Sequence, residues 1–208
     1  MSKGIRSTGV AVAAAALCLI MAATAVAATI TGTDRRDRLV GSQRGDDINA
    51  RDGDDRVLAR GGNDDVKGGD GRDRLFGAMG RDRIQGDDGG DRIAGGRGDD
   101  SLRGGDGHDT IFANLGQDES FGGDGNDDLW ALARGDVEGG DDQNGDNLHG
   151  GDGDDRFHTR DGERDRIDCG SGRDVALLDG KDVIANESEC ERVEREEPRG
   201  GKDGERDD

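Results

Sequence analysis

The sequence predicts an all-β chain wound into a parallel coil, and three observations carry that expectation. Aspartate recurs every nine residues, without a gap, from Asp37 to Asp127. An aliphatic residue sits two positions after almost every one of them, and a glycine two positions before most. The composition leaves too little apolar material for an ordinary core: 49 of 208 residues are acidic and 29 basic, 40 are Gly, and the aromatics are four Phe and one Trp. With 29% of residues apolar and a net charge of −20, the chain either stays disordered or draws its missing stability from bound cations. The same numbers argue against an ordinary single-domain enzyme. They also argue against nucleic acid as a partner, because an anionic chain repels phosphate.

Taken in order, residues 1–27 read as an export signal. Lys3 and Arg6 give a positive start, Val10–Ala23 is an apolar run short for a membrane span, and Ala25-Val26-Ala27 is a small-x-small cleavage site. Cleavage moves the net charge from −20 to −22, leaves no membrane span, and makes the protein secreted. It also removes Cys18, so that Cys169 and Cys190 remain. In an oxidising compartment this pair is expected as a disulfide whose loop of about twenty residues contributes roughly 3 kcal/mol; two free thiols are the alternative.

The repeat comes next. Its aspartates are Asp37, Asp46, Asp55, Asp64, Asp73, Asp82, Asp91, Asp100, Asp109, Asp118 and Asp127. The apolar followers are Leu39, Ile48, Val57, Val66, Leu75, Ile84, Ile93, Leu102, Ile111 and Leu129, with Ser120 the one miss. A nine-residue unit divides into a Gly-rich six-residue turn and a three-residue strand whose middle residue points inward. These inward residues cannot form a core as a flat sheet. Coiled at two units per turn, residues eighteen apart stack at about 4.8 Å, and one column becomes Leu39, Val57, Leu75, Ile93, Ile111 and Leu129. Coiling also stacks Asp upon Asp, and at ~5 Å such pairs repel by about 3 kcal/mol at an effective dielectric near 20. A hard divalent cation between turns reverses that sign. Ca²⁺ accepts six to eight oxygens in flexible geometry, Mg²⁺ fits less well, and no His or Cys cluster favours zinc.

Units such as Gly68–Phe76, Gly104–Phe112 and Gly122–Trp130 resemble the hemolysin-type (RTX) calcium-binding nonapeptide, GGxGxDxUx, and the resemblance extends over roughly residues 32–168. It implies a right-handed parallel β-roll, a β-solenoid with two nonapeptides per turn. It also implies that the sixth-position carboxylates, those named above together with Asp146 and Asp155, bind several Ca²⁺ ions with help from Gly-loop carbonyls. About nine ions fit between the turns, and their charge would nearly cancel that of the mature chain; folding and binding then become one event.

The pattern departs from the motif in places. Arg35, Arg36 and Arg44 occupy loop positions in the first two turns, which puts metal sites there in doubt. Ala113–Phe121 lacks its leading glycines, and Ala131–Gly140 breaks register, read as a bulge in one continuous solenoid over 28–168. Repeats resume at Asp146/Leu148 and Asp155/Phe157, then slip by one to Asp165/Ile167. Residues 169–193, with an apolar stretch inside the expected disulfide, read as a C-terminal cap, and 194–208 as a disordered acidic tail.

The outward ninth position forms an apolar stripe on one side: Val40, Leu58, Phe76, Ala94, Phe112 and Trp130. It reads either as a contact surface, for a second copy or another extracellular partner, or as a local shield over strand edges. The seventh position beside it, Arg38, Arg56, Arg74 and Arg92, reads as a solvated face balancing nearby Asp, with anionic polymers as the other possibility. His108, His149 and His158 lie at no spacing that suggests catalysis, and no enzymatic activity is expected. The function expected is secreted calcium binding coupled to folding. The alternative is a structural or adhesive role in which calcium only switches the fold on.

Overall fold

The computed structural model describes residues 27–131, 145–186 and 190–196. Most of the leader, the segment 132–144, residues 187–189 and residues 197–208 lie outside them, and so do the expected signal peptide, the expected bulge itself and most of the expected tail. All regular structure among the described residues is strand. One nine-stranded sheet contains β1 (Thr29–Thr31), β3 (Asp47–Asn49), β5 (Asp65–Asp70), β7 (Arg83–Asp88), β9 (Ser101–Asp106), β11 (Glu119–Asp124), β13 (Asn147–Asp152), β15 (Arg166–Ser171) and β17 (Val183–Ile184). The other contains β2 (Arg38–Val40), β4 (Arg56–Gly61), β6 (Arg74–Met79), β8 (Arg92–Arg97), β10 (Thr110–Leu115), β12 (Asp128–Trp130), β14 (Arg156–Thr159), β16 (Val175–Leu178) and β18 (Arg192–Arg195). Each strand pairs in parallel with the one two along the chain, so the chain crosses from sheet to sheet at every half-turn: a parallel β-roll with two units per turn.

The register is the one the period demands. Leu39 pairs with Val57, Val57 with Leu75, Leu75 with Ile93, and the column runs on through Ile111, Leu129, Phe157 and Ala176. The facing column runs from Ile30 and Ile48 to Leu102, Ser120, Leu148, Ile167 and Ile184. From Ile48 to Ile167 the aliphatic members of both columns are wholly buried, while Ile30 and Leu39 at the open end are half-buried. Ser120 is buried among Leu102 and Leu148, and its hydroxyl finds no hydrogen-bond partner.

Glycine is required where the loop turns back beneath its neighbour. Gly71 has φ +142°, and a Cβ there would strike the carbonyl of Gly53 one coil below. Where the second loop position lacks Gly the conformation is kept regardless: Arg51, Arg60, Ala78, Asp87 and Asn114 all have φ between +74° and +88°, a strain of order 1–3 kcal/mol each.

The coil absorbs the register break. Backbone-to-side-chain partners eighteen residues apart in the regular turns become 28 apart across residues 131–145 and 19 apart afterwards. Ten residues are thus inserted without interrupting either sheet, followed by the single-residue slip. The C-terminal segment closes the coil by continuing it: β16, β17 and β18 extend both ladders, and the paired chain reaches Arg195 rather than ending at 193. Cys169 and Cys190 form a buried disulfide with Cα atoms 5.5 Å apart, tying the approach to the last strand to β15.

Candidate metal-binding ladder

Each motif aspartate immediately precedes its strand, and its side chain turns along the stack of coils rather than out to solvent. The Oδ1 atom accepts the backbone N–H of the aspartate one coil earlier. Asp55 takes that of Asp37 at 2.6 Å, Asp73 that of Asp55 at 2.7 Å, Asp91 that of Asp73 at 2.8 Å, Asp109 that of Asp91 at 2.7 Å and Asp127 that of Asp109 at 2.8 Å. The other side of the coil repeats the scheme through Asp46, Asp64, Asp82, Asp100, Asp118 and Asp146. Two unbroken carboxylate ladders result, and from Asp46 to Asp155 their members are at most 4% exposed.

The second oxygens divide the ladders into ends and a middle. At the start, Oδ2 of Asp37 accepts from the N–H and hydroxyl of Thr33, at 2.6 and 2.8 Å, and Oδ2 of Asp46 accepts the N–H of Ser42 at 2.5 Å. At the far end, Oδ2 of Asp182 accepts from Thr159 Oγ1 at 2.8 Å and the N–H of Asp179 at 2.7 Å. In between, Oδ2 of Asp55, Asp64, Asp73, Asp82, Asp91, Asp100, Asp109, Asp127, Asp155, Asp165 and Asp174 is buried with no hydrogen-bond partner. A buried carboxylate oxygen without a partner is costly. Eleven of them, in two columns, demand a counter-charge.

The carboxyl groups respond in the expected direction. Burial, reinforced by like charge along the ladder, pushes Asp64, Asp73, Asp91, Asp100 and Asp155 up to about 7 and Asp165 to about 8, against the pull of the N–H that each accepts. Burial takes Asp109 and Asp127 to about 6, where the nearby His108 holds them down in part.

Backbone carbonyl oxygens of the next coil lie close to several of the unpartnered oxygens. A Cβ built on Gly86 would meet Oδ2 of Asp91 and lie 2.6 Å from the carbonyl oxygen of Gly104 on the next coil; one on Gly77 would meet Oδ2 of Asp82 and lie 2.7 Å from Gly95 O. Gly68 and Gly104 repeat the arrangement with Asp73 and Asp109. At Gly68, Gly77, Gly86 and Gly104 a carboxylate oxygen and a carbonyl of the next coil thus meet where a Cβ would stand, whereas the same loop position holds the buried Ala50, Ala59 and Ala113 in other units. Among the described residues no three Asp, Glu, His or Cys side chains converge on one point. A cation here draws on ladder carboxylates together with backbone carbonyls. That donor set suits a hard ion such as Ca²⁺.

The remaining site residues lie as follows. Asp155 stands in the ladder, accepting from Asp127 and donating to Asp174. Asp165, Asp174, Asp182 and Glu191 extend both ladders beyond the residues singled out from sequence, Glu191 accepting the N–H of Asp174 at 2.7 Å. The signal was an acidic residue two before an apolar one, at Asp174/Ala176, Asp182/Ile184 and Glu191/Val193, hidden by the loss of the Gly-rich loops. The ninth-position stripe, Val40, Leu58, Phe76, Ala94, Phe112 and Trp130, forms one half-buried column. Phe112 stacks on Trp130 at 6.0 Å, Trp130 on His158 at 3.7 Å, and the guanidinium groups of Arg56 and Arg92 lie over Phe76 and Phe112. On the other side Phe121 stacks on His149 at 4.7 Å, so two of the three histidines serve as ring partners.

Comparison with known families matches residues 31–66, 52–84, 59–93 and 85–120 to the RTX calcium-binding nonapeptide repeat, in four copies. Repeats of this family bind Ca²⁺. No curated protein matches the chain.

Proposed function

We propose that this chain, whose residues 31–120 are RTX calcium-binding nonapeptide repeats, is an exported protein that binds several Ca²⁺ ions along its two carboxylate ladders and folds as it binds them. The observation that carries this reading is the run of buried, unpartnered Oδ2 atoms between Asp55 and Asp174. When bound, the ion supplies positive charge between carboxylates of successive coils. The protein's own groups do the rest. Oδ1 of each Asp fixes the carboxylate by accepting an N–H from the coil before, Gly or Ala at the first loop position keeps bulk away, and loop carbonyls would complete an all-oxygen donor set. Thr33, Ser42 and Thr159 satisfy the end carboxylates without an ion, which puts the binding capacity in the middle of the coil and leaves Asp37 and Asp46 as caps.

Export is supported by the charged start and apolar run of residues 1–27 and by the Cys169–Cys190 disulfide, which an oxidising compartment favours. Native mass spectrometry of the secreted form tests the reading. The expected result is a chain beginning at Ala28 that carries several Ca²⁺, on the order of nine with carboxylate and carbonyl ligands; a mature chain that retains no calcium at millimolar concentration would sink it.

A further inference from the structure

The face built by β2, β4, β6 and β8 carries a row of cations that the carboxylate ladder does not use. Register sets Arg38 beside Arg56, Arg56 beside Arg74 and Arg74 beside Arg92, and all four are exposed. The sequence reading makes this row a solvated face balanced by nearby Asp. The structure keeps aspartates nearby, since Asp37, Asp55, Asp73 and Asp91 line the same groove, but among the described residues none of the four guanidinium groups has a carboxylate within 4.0 Å. The ladder carboxylates Asp55, Asp73 and Asp91 beneath them are buried, with Oδ1 accepting a backbone N–H and Oδ2 facing the proposed calcium sites rather than the arginines.

These four and the loop residues Arg36 and Arg72 line a single groove of about 710 Å³, whose carboxylates are the ladder residues Asp37, Asp55, Asp73 and Asp91 and the exposed Asp54. Asp54 is engaged by Arg36 at 2.8 Å and by the N–H of Arg72 at 3.3 Å. Four like charges at one per coil, about 4.8 Å apart, thus stand in one row on a chain of net charge −20. Arg56 and Arg92 lie over Phe76 and Phe112, and farther along the same column the places hold Thr110, Asp128, Arg156, Val175 and Arg192, so the uninterrupted run of four is peculiar to this end of the sheet.

We propose that this groove binds a linear acidic polysaccharide, with carboxylate or sulfate groups engaged by successive guanidinium forks. The spacing is periodic and set by the sheet, so the groove suits a polymer with regularly repeated charges better than a single small anion. Guanidinium is the side chain best matched to planar oxyanions. Nucleic acid fits less well. The ring faces a single strand would need are already engaged, Phe76 and Phe112 by Arg56 and Arg92, and Phe112 also by Trp130. The proposal rests on the calcium-folded coil as its scaffold, since only coiling brings the four arginines into one row.

The test uses the full mature chain in calcium, with fluorescent carboxymethyl dextran, dextran sulfate, unmodified dextran and duplex DNA as probes. The expected result is binding of one or both acidic dextrans and none of the neutral polymer. Arg56→Ser with Arg74→Ser lowers that affinity roughly tenfold or more, as loss of hydrogen bonds to charged groups implies. Arg83→Ser with Arg166→Ser, on the other sheet, leaves it unchanged. Should the central pair disturb the coil, Arg38→Ser with Arg92→Ser repeats the test from the ends of the row. Circular dichroism of each variant in calcium separates the two readings: a folded chain without acidic-dextran binding overturns the groove alone, and a chain that calcium does not fold overturns the scaffold. Equal loss in the control pair, or tighter binding of duplex DNA, also overturns the polysaccharide assignment.

Discussion

Replacing Asp91 with Asn separates the two roles of a ladder carboxylate. Asn keeps an oxygen where Oδ1 accepts the N–H of Asp73 at 2.8 Å, so the ladder is preserved. It replaces Oδ2, which is buried and unpartnered, with an amide that carries no charge. Without metal, Asp91 is pushed from 3.8 to about 7 by burial and by the charges of Asp109 and Asp87. At neutral pH that shift sets an upper limit of roughly 4 kcal/mol on what the carboxyl costs the folded state. Asp91→Asn is therefore expected to stabilise the metal-free coil by about 2–4 kcal/mol. In calcium the effect opposes this, because each site lost forfeits about 2.7 kcal/mol of linkage at a hundredfold excess over Kd. The assay is folding by trimethylamine N-oxide in excess chelator, followed by circular dichroism, alongside native mass spectrometry in calcium. The variant should fold at lower osmolyte in chelator and carry one or two fewer ions in calcium. An Asn variant that is less stable than the parent in chelator, or that holds the full complement of ions, would refute the reasoning.

Further outcomes follow from the same geometry. Asp64, Asp73, Asp91, Asp100 and Asp155 have folded values near 7 against 3.8 unfolded, so the stability linked to their protonation is full below about pH 4 and is lost as the pH rises through 7. A metal-free chain should accordingly gain β-structure on acidification, read by circular dichroism in chelator, and a chain that loses it instead contradicts the account. Gly86→Ala places a methyl group against Oδ2 of Asp91 and Gly104 O and should reduce the ion count at that coil, with a stability loss of about 1–3 kcal/mol from local overpacking. Ser120→Val fills the one polar gap in a column of Leu and Ile and removes an unpartnered hydroxyl; a gain of about 1–2 kcal/mol in calcium is expected from thermal unfolding.

Much of this architecture was legible because the chain repeats one physical problem. A fixed nine-residue period determines which aliphatics stack, and Leu39 through Leu129 stand in the column assigned to them. The ten-residue register break could be counted before its effect on pairing was seen. Beyond Ile167 the reading was coarser. Once Gly-rich loops give way to ordinary residues, Asp174, Asp182 and Glu191 no longer stand out, although their backbone partners keep them in the ladder. Which carboxylates close on themselves was also hidden, since it depends on hydroxyls at Thr33, Ser42 and Thr159 whose loop geometry no period encodes. The arginine row was visible from spacing, but its lack of carboxylate partners is a matter of where the Asp side chains turn. They turn into the stack, toward the next coil's backbone, and leave the cations outside.

The claim beneath all of this is that the coil cannot hold its buried carboxylates without a cation. Far-ultraviolet circular dichroism of the mature chain at neutral pH, first in excess chelator and then through a calcium titration with a magnesium control, addresses it most directly. A largely unordered spectrum that becomes β-rich cooperatively with calcium, and much less so with magnesium, is the expected result. A chain already β-rich in chelator and unchanged by calcium would contradict it.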